Sequence, residues 1–503
     1  MATRYTGLIA SFAGFVSGAA VAQDACAPFV AARPKLENTT IVSVSFVPAG
    51  GPSRAPAHCE VQASISPVAG SKIGAVYRLP ADWNGKVLGL GGGGFAGDVR
   101  AATAADGLER GYAVIQNDLG HASANLLDPS FAFDAAGKHN VEGIVDFGHR
   151  ATHLATVVGK EVATRFYGRA PERAYFEGCS TGGRQGLAEV QRYPDDYDGV
   201  ISSAPVFTPL TYSNAILRVQ AFHARPGSNL QPEHVPLIHD AVLAACDAKD
   251  GVADGILTDP RTCTWDPAEL QCSGASSASA ACLSAAQVET VRRAYSGVRM
   301  RDGRFAAMPL MRGGEADWVS RMIGTPNQPR GMNAVLGAPF MAYIAAGDRD
   351  YDFMTFDPER DFRVLDGGIA AAEVHQQNPN IAPFVRAGGK LLLWHGFNDP
   401  GPSALSTIAY YDAVQGAVPD ARDGVRLFLA PGVLHCGGGP GPDQFDALGA
   451  LENWVEHGVA PTSMIATKQG SPLSRPICAY PALPRYKGVG DTNSAASFEC
   501  AVP

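Results

Sequence analysis

The chain has 503 residues, a formal net charge of −9 and 46% hydrophobic residues. This length exceeds one ordinary domain, so we expect a core with a large insertion or a second domain. The negative charge argues against a nucleic-acid partner, which would call for a basic surface stripe, and it leaves room for a neutral or aromatic small molecule.

The chain begins with the pattern of a secretory signal peptide. Residues 1–4 form a short basic start, residues 8–21 are apolar, and Ala20-Val21-Ala22 is an A-x-A cleavage site. A membrane anchor is the alternative, but a spanning helix needs about 20 apolar residues and this segment is shorter and interrupted. We therefore expect cleavage after Ala22 and a secreted or periplasmic protein with no membrane contact after cleavage.

The first half of the mature chain predicts strands that alternate with helices. Short apolar runs predict four buried strands, at 87–90, 112–116, 173–177 and 199–203. Apolar residues at helical spacing predict helices over 141–167 and 182–192. This alternation indicates a parallel sheet flanked by helices, the α/β class.

The pattern breaks after Pro205. Residues 207–385 carry helical segments, four cysteines and loops rich in Gly, Asp and Ser. Strands and helices then alternate again, at 389–395, 403–414, 426–430 and 443–456. We therefore predict a core built from 23–206 and 386–503, with 207–385 inserted as a lid domain over the site.

Ser180 lies where a predicted strand ends and a predicted helix begins, in the sequence GCSTG over 178–182. This G-x-S-x-G pattern is typical of a nucleophile elbow, a sharp turn that exposes the serine hydroxyl. A serine needs an adjacent base to be nucleophilic at neutral pH. His435 is the candidate base, because it follows a predicted strand and, like Ser180, it has a cysteine beside it.

Asp399 completes the candidate triad. It follows a predicted strand, and a carboxylate at that position can orient a histidine. The chain order Ser180, Asp399, His435 is that of α/β-hydrolases, although an aspartate that only caps the turn before Pro400 is the alternative. Acyl transfer also needs N–H donors for the oxyanion. We expect one from the backbone of Thr181 and the other from the glycine loop after the first predicted strand.

These motifs resemble the tannase family of secreted esterases, which includes feruloyl esterases and the hydrolase of mono(2-hydroxyethyl) terephthalate. The resemblance runs from about Cys26 to the C-terminus and implies an α/β-hydrolase core. It places the second oxyanion donor at Gly94, and it suggests that His395 contacts substrate. A buried structural role is the alternative for His395. Among the aromatic residues of the predicted lid, we assign Phe356 to the substrate pocket.

The ten cysteines of an exported protein indicate disulfides, although the sequence alone leaves their pairing open. A zinc site is disfavoured, because there is no C-x-x-C pair and no cysteine cluster has histidines at ligand spacing. The resemblance, together with local spacing, favours Cys26–Cys59, Cys179–Cys436, Cys246–Cys263, Cys272–Cys282 and Cys478–Cys500. The second of these pairs would hold the base beside the nucleophile.

Asp247, Asp250 and Asp254 lie close together in the predicted lid, separated by glycines. Hard oxygen ligands gathered in one loop suit calcium, although the spacing is not that of an EF-hand. The resemblance implies a structural Ca²⁺ site here, with the carbonyls of Val252 and Ile256 as further ligands. An acidic surface turn is the alternative.

These expectations describe a serine carboxylesterase that hydrolyses esters of hydroxycinnamic or gallic acid through an acyl-enzyme, without an organic cofactor. Hydrolysis of a terephthalate monoester is the alternative within the family. An alignment anchored on Phe356 places Asp352 where that enzyme binds its substrate's carboxylate, and a negative charge there would repel the anion. A calcium-dependent binding protein on a relic hydrolase fold, or a protease or amidase, are alternatives of other classes. The oligomeric state is left open.

Overall fold

The computed structural model describes residues 26–31, 34–50, 54–123, 125–223, 227–273 and 281–503. The predicted signal peptide, 1–22, lies outside the described residues. Within those ranges, no helix has both the length and the apolar character needed to cross a bilayer.

Fifteen strands are found in the described ranges, and nine of them form one sheet. Their bounds are β1 Thr39–Val47, β2 His58–Ile65, β3 Ile73–Pro80, β4 Lys86–Leu90, β5 Ala113–Asn117, β6 Arg173–Cys179, β7 Gly199–Ser203, β8 Val298–Arg299, β9 Phe305–Ala307, β10 Lys390–Gly396, β11 Val425–Ala430, β12 Ser463–Thr467, β13 Ser474–Cys478, β14 Leu483–Tyr486 and β15 Phe498–Ala501. The sheet order is β1-β2-β3-β5-β4-β6-β7-β10-β11. The pairs among β1, β2, β3 and β5 are antiparallel, and all pairs from β5–β4 to β10–β11 are parallel.

The helices that matter for the fold are α1 26–31, α2 Ala105–Glu109, α3 Val141–Val145, α4 Ala151–Tyr167, α5 Thr181–Arg192, α6 Pro209–His223, α7 His234–Cys246, α8 Ala285–Ser296, α9 Gly331–Pro339, α10 Pro358–Leu365, α11 Ala382–Arg386, α12 Ala404–Ala417 and α13 Ala447–His457. A π-helical turn, Asp146–Arg150, joins α3 to α4. The helix predicted over 141–167 is therefore helical throughout.

The parallel strands are apolar because both faces of the sheet are covered. Leu391 and Leu393 of β10 belong to a hydrophobic cluster shared with α4, α5 and α12, whereas Leu392 belongs to a second cluster shared with α2 and α13. The six strands predicted from apolar runs are β4, β5, β6, β7, β10 and β11. The expected α/β-hydrolase architecture is confirmed.

The chain between β7 and β10, which we call the insertion, leaves the sheet and returns to it. The two strands are direct neighbours, with Ile201 opposite Leu392. The insertion holds α6 to α11 and the β8–β9 hairpin, and part of it packs around its own cluster, which includes Phe222, Tyr295 and Trp318. That residues 207–385 form a separate lid domain stays a prediction.

Five disulfides join the ten cysteines in the pairs that the resemblance implied: Cys26–Cys59, Cys179–Cys436, Cys246–Cys263, Cys272–Cys282 and Cys478–Cys500. The second joins the end of β6 to the loop after β11. The third encloses the aspartate-rich loop, and the last ties β13 to β15.

Candidate active site

Ser180 occupies the turn between β6 and α5. Its backbone has φ 63° and ψ −116°, a strained conformation for a residue with a side chain. The glycines on either side are required by close contact, since a Cβ on Gly178 would lie 2.6 Å from the carbonyl carbon of Gly182. This is the geometry of a nucleophile elbow, with strain concentrated at the serine.

The loop after β4 is bonded directly to the start of α5. The N–H of Gly182 donates to the Gly92 carbonyl at 2.9 Å, and the Thr181 hydroxyl donates to the Gly94 carbonyl at 2.6 Å. A Cβ on Gly91 would lie 2.4 Å from the Gly182 Cα, so this approach needs glycine. Thr181 and Gly94 are thus neighbours, and their role as oxyanion donors stays a prediction.

Asp399, which is buried, and His435, which is partly buried, form a hydrogen-bonded pair. His435 Nδ1 donates to Asp399 Oδ2 at 2.6 Å, and the N–H of Gly401 donates to Asp399 Oδ1 at 2.7 Å. Burial alone would raise the pKa of Asp399, but His435 and His395 together hold that pKa well below its usual range. The carboxylate therefore stays ionised and fixes the proton on Nδ1, which leaves Nε2 as the basic nitrogen.

The Cys179–Cys436 disulfide brings the histidine loop to the elbow. It spans 257 positions of the chain and holds the two Cα atoms 5.9 Å apart. Ser180 follows Cys179, and His435 precedes Cys436. Both side chains line one cavity of about 50 Å³, together with Thr181. The arrangement therefore brings Ser180, His435 with the Asp399 carboxylate, and the backbone of Thr181 together, and their catalytic roles stay predictions.

Two residues predicted to contact substrate, His395 and Phe356, are not among the described residues that line this cavity, and their substrate contacts stay predictions. His395 is fully buried; its Nδ1 bonds the Thr407 hydroxyl at 2.8 Å, and its Nε2 lies 3.2 Å from Asp399 Oδ2. It therefore contacts the Asp399 carboxylate from within the core, which fits the buried structural role that is the alternative for His395. Phe356 is 4% exposed in the hydrophobic core and is not among the described residues that line the cavity.

Asp352 is also absent from the described lining of the cavity. It is exposed, and its side chain accepts a hydrogen bond from the backbone N–H of Met354 at 2.9 Å. The expected repulsion of a substrate carboxylate by Asp352 is therefore not supported.

The insertion supplies cavity residues that the sequence analysis missed. They are Thr211, Tyr212, Arg321, Asn333 and Leu336. These residues lie on α6, α9 and the π-helical turn Val319–Ile323, which are distant in the sequence. No local pattern marks them, so only the fold could have identified them.

The predicted calcium ligands share one compact loop. Both carboxylate oxygens of Asp247 accept from the N–H of Gly255, at 3.1 and 3.0 Å, and Asp250 Oδ1 accepts from the N–H of Val252 at 3.1 Å. Asp254 pairs with Arg475 of β13. Burial raises the pKa of Asp254, Arg475 opposes this, and the Asp250 carboxylate adds to it. The loop thus concentrates negative charge, although one arginine already neutralises part of it.

A second cluster of possible metal ligands lies elsewhere. Ligand atoms of His153, Glu189 and Asp196 all lie within 4.8 Å of one another, and His153 Nδ1 is 2.6 Å from Asp196 Oδ2. Asp196 precedes β7, whereas the catalytic residues follow the carboxyl ends of their strands. The cluster could hold a metal ion, and its Asp196 lies near the amino end of β7, whereas the candidate triad lies beyond the carboxyl ends of the strands.

Comparisons of the sequence and of the structure with known proteins both find esterases of one family. The family model described as tannase and feruloyl esterase matches residues 59–501. The mono(2-hydroxyethyl) terephthalate hydrolase of Piscinibacter sakaiensis is 33% identical, over 89% of this chain and 85% of that protein. A probable feruloyl esterase B-1 of Aspergillus oryzae is 31% identical, over 95% of this chain and 93% of that protein. The crystal structure of feruloyl esterase B from Aspergillus oryzae has a TM-score of 0.84 at 28% identity, covering 95% of this chain and 100% of that chain.

Proposed function

The chain belongs to the tannase and feruloyl esterase family and is a carboxylic ester hydrolase of that type, and we propose that it cleaves esters of hydroxycinnamic or gallic acid through an acyl-enzyme on Ser180. The observation that carries the proposal is that Ser180 shares one cavity with His435, whose Nδ1 is bonded to the ionised Asp399. No organic cofactor enters this chemistry.

In the proposed reaction, His435 Nε2 takes the Ser180 proton while the hydroxyl oxygen attacks the ester carbonyl. Asp399 stabilises the imidazolium that forms. The N–H groups of Thr181 and Gly94 bind the oxyanion, and each such donor typically contributes about 2.7–4 kcal/mol to transition-state stabilisation. His435 then gives its proton to the leaving alcohol. Water, activated by the same imidazole, releases the acid and restores the serine.

Labelling with a fluorophosphonate probe tests the nucleophile. The native protein should be labelled at Ser180, and a Ser180→Ala variant should show neither labelling nor hydrolysis. Ser403→Ala is a matched control, because Ser403 is a buried serine that caps α12. Absence of labelling in the folded native protein would instead favour a binding protein on a relic fold.

Hydrolysis of a terephthalate monoester is the second candidate activity. It is favoured by the similarity to the Piscinibacter sakaiensis enzyme and by the position of Asp352 away from the cavity. Rates on methyl ferulate, methyl gallate and mono(2-hydroxyethyl) terephthalate, measured side by side, rank the two candidates. A preference for the last ester would replace the primary proposal.

We also infer that the protein acts outside the cytoplasm, since five disulfides suit an oxidising compartment. The predicted leader over 1–22 agrees with export. Fractionation of cells that express the full chain, with N-terminal sequencing of the exported product, tests both points. Product that begins at Gln23 is expected.

We propose that the loop of Asp247, Asp250 and Asp254 binds a structural Ca²⁺, with the carbonyls of Val252 and Ile256 as further ligands. Three carboxylates within eight positions, closed by the Cys246–Cys263 disulfide, supply the hard oxygen atoms that calcium prefers. Removing calcium with a chelator should lower Tm, and adding Ca²⁺ back should restore it. Asp250→Asn should remove this response. An unchanged Tm, with no calcium found by elemental analysis, would contradict the proposal.

A further inference from the structure

The catalytic cavity carries hydrogen-bond donors that ester cleavage does not use. We propose that Arg321 and Asn333 form a substrate subsite that binds an oxygen acceptor on the acyl ring, away from the scissile ester. The inference rests on the proposed function and narrows its substrate class. Both side chains line the cavity that holds Ser180 and His435.

Arg321 is held at the cavity wall with part of its guanidinium unpaired. It lies on the π-helical turn Val319–Ile323, and its Nε donates to Asp317 Oδ2 at 2.9 Å. Neither Nη group makes a hydrogen bond with another described residue. A Cβ on Gly401 would lie 3.5 Å from Nη1, so the guanidinium rests against the turn that follows Asp399. A ligand in the cavity can therefore reach a cation that is already fixed in place.

Asn333 presents a donor that lacks a partner. It lies on α9 and is 4% exposed, and its Nδ2 has no hydrogen-bond partner among the described residues. A buried amide donor left unpaired is unfavourable, so such a group calls for a partner. Because Asn333 lines the cavity, an oxygen of a bound ligand can supply that partner.

The charge of the cavity favours an acceptor over a donor. None of the described residues that line it is an aspartate or a glutamate, and Arg321 supplies a positive charge there, although its Nε side is paired with Asp317 outside the lining. The oxyanion of the reacting ester is assigned to Thr181 and Gly94. The donors of Arg321 and Asn333 are therefore available for a different oxygen of the same substrate.

Two ring substituents share this chemistry. A carboxylate accepts two parallel bonds from a guanidinium, and a phenolic oxygen accepts one from either donor. The three esters methyl benzoate, methyl 4-hydroxybenzoate and monomethyl terephthalate have the same ring and the same scissile bond. They differ only in having no acceptor, a hydroxyl or a carboxylate at the far end of the ring.

The test compares kcat/KM for these three esters in native and variant proteins. We expect Arg321→Gln and Asn333→Leu to reduce the ratio of an acceptor-bearing ester to methyl benzoate roughly tenfold or more. Arg293→Gln is the matched control. Arg293 lies on α8 of the insertion in an exposed ion pair with Glu289, and its loss should leave the ratios unchanged.

A lowered ratio for monomethyl terephthalate alone assigns a carboxylate to the subsite, and a lowered ratio for the hydroxybenzoate alone assigns a phenolic hydroxyl. Ratios that neither variant changes overturn the proposal. If the variants do not fold, the inhibition constants of benzoate, 4-hydroxybenzoate and terephthalate against the native protein decide, and equal constants overturn it. Failure of the proposed function is a different result, namely a native protein that hydrolyses none of the esters and is not labelled at Ser180.

Discussion

Arg218 links the insertion to the acidic member of the candidate triad. It lies on α6, is 4% exposed, and its Nη1 donates to the carbonyl oxygens of Pro400 and Gly401, each at 2.7 Å. Those carbonyls belong to the turn that follows Asp399. Burial lowers the pKa of Arg218 to about 10, and the Asp399 charge opposes this shift. The guanidinium therefore stays charged at neutral pH and anchors the turn.

Replacing Arg218 tests whether this anchor positions the triad. Arg218→Met should lower kcat roughly 10–100-fold with a smaller change in KM, because Asp399 would no longer be held in the geometry that orients His435. Arg218→Lys keeps the charge and one donor, so it should recover part of the loss. Steady-state kinetics on a neutral ester, with Tm measured in parallel, provide the check. A methionine variant with a lower Tm but a native kcat would show that Arg218 only stabilises the fold.

The sequence predicts individual site residues where a short motif marks them. Ser180 and His435 each have a cysteine beside them, and the structure pairs those cysteines. Arg321 and Asn333 have no such signature, because their significance comes from the cavity that distant elements form. His395 lies at a strand end near the site, where a side chain can face either the cavity or the core, and the sequence does not distinguish the two.

At the scale of elements, burial decided what could be predicted. The parallel strands β4 to β7, β10 and β11 are covered on both faces, and this leaves continuous apolar runs in the sequence. By contrast, β1 has a single fully buried residue, Ile41, and the antiparallel edge of the sheet was not anticipated. The sequence also does not mark the π-helical turn Asp146–Arg150, because apolar residues continue at three- and four-residue spacing through it.

For the insertion, the sequence does not show how the helices pack. Its helices pack partly around a cluster of their own, so their apolar residues indicate helices but not where those helices lie over the sheet. Hydrogen bonds such as that from Arg218 to Pro400 fix the position of α6, and the stacking of Tyr212 on Phe340 at 3.3 Å ties α6 to the segment after α9. These contacts join residues distant in sequence and leave no local pattern, so the sequence does not identify which residues of the insertion line the cavity.

At the scale of the whole molecule, the candidate catalytic residues come from both sides of the insertion. Ser180 follows β6, before the chain leaves the sheet, whereas Asp399 and His435 follow β10 and β11, after it returns. Sheet pairing places β7 beside β10, and this aligns the carboxyl ends of all these strands. The Cys179–Cys436 disulfide adds a covalent link across the same gap. Sheet pairing and the disulfide therefore both restrain the distance between the Ser180 hydroxyl and the His435 imidazole.

Removing that disulfide should separate its positional role from its contribution to stability. It spans 257 positions, for which chain entropy alone predicts a stabilisation of about 5–6 kcal/mol, an upper figure. We expect the double variant Cys179→Ala, Cys436→Ala to have a lower Tm and to lose most of its kcat at temperatures where it remains folded, because His435 is freed from Ser180. The double variant Cys272→Ala, Cys282→Ala opens a bond across 10 positions within the insertion and should keep its kcat.

The comparison is decisive only in folded protein, so both double variants are assayed well below their Tm and labelled with the fluorophosphonate probe. Slow labelling of the Cys179→Ala, Cys436→Ala protein, with rapid labelling of the control, would show that the bond sets the serine–histidine geometry. If the Cys179→Ala, Cys436→Ala protein is folded and is labelled at the native rate, sheet pairing alone holds Ser180 beside His435, and the disulfide acts only on the unfolded chain.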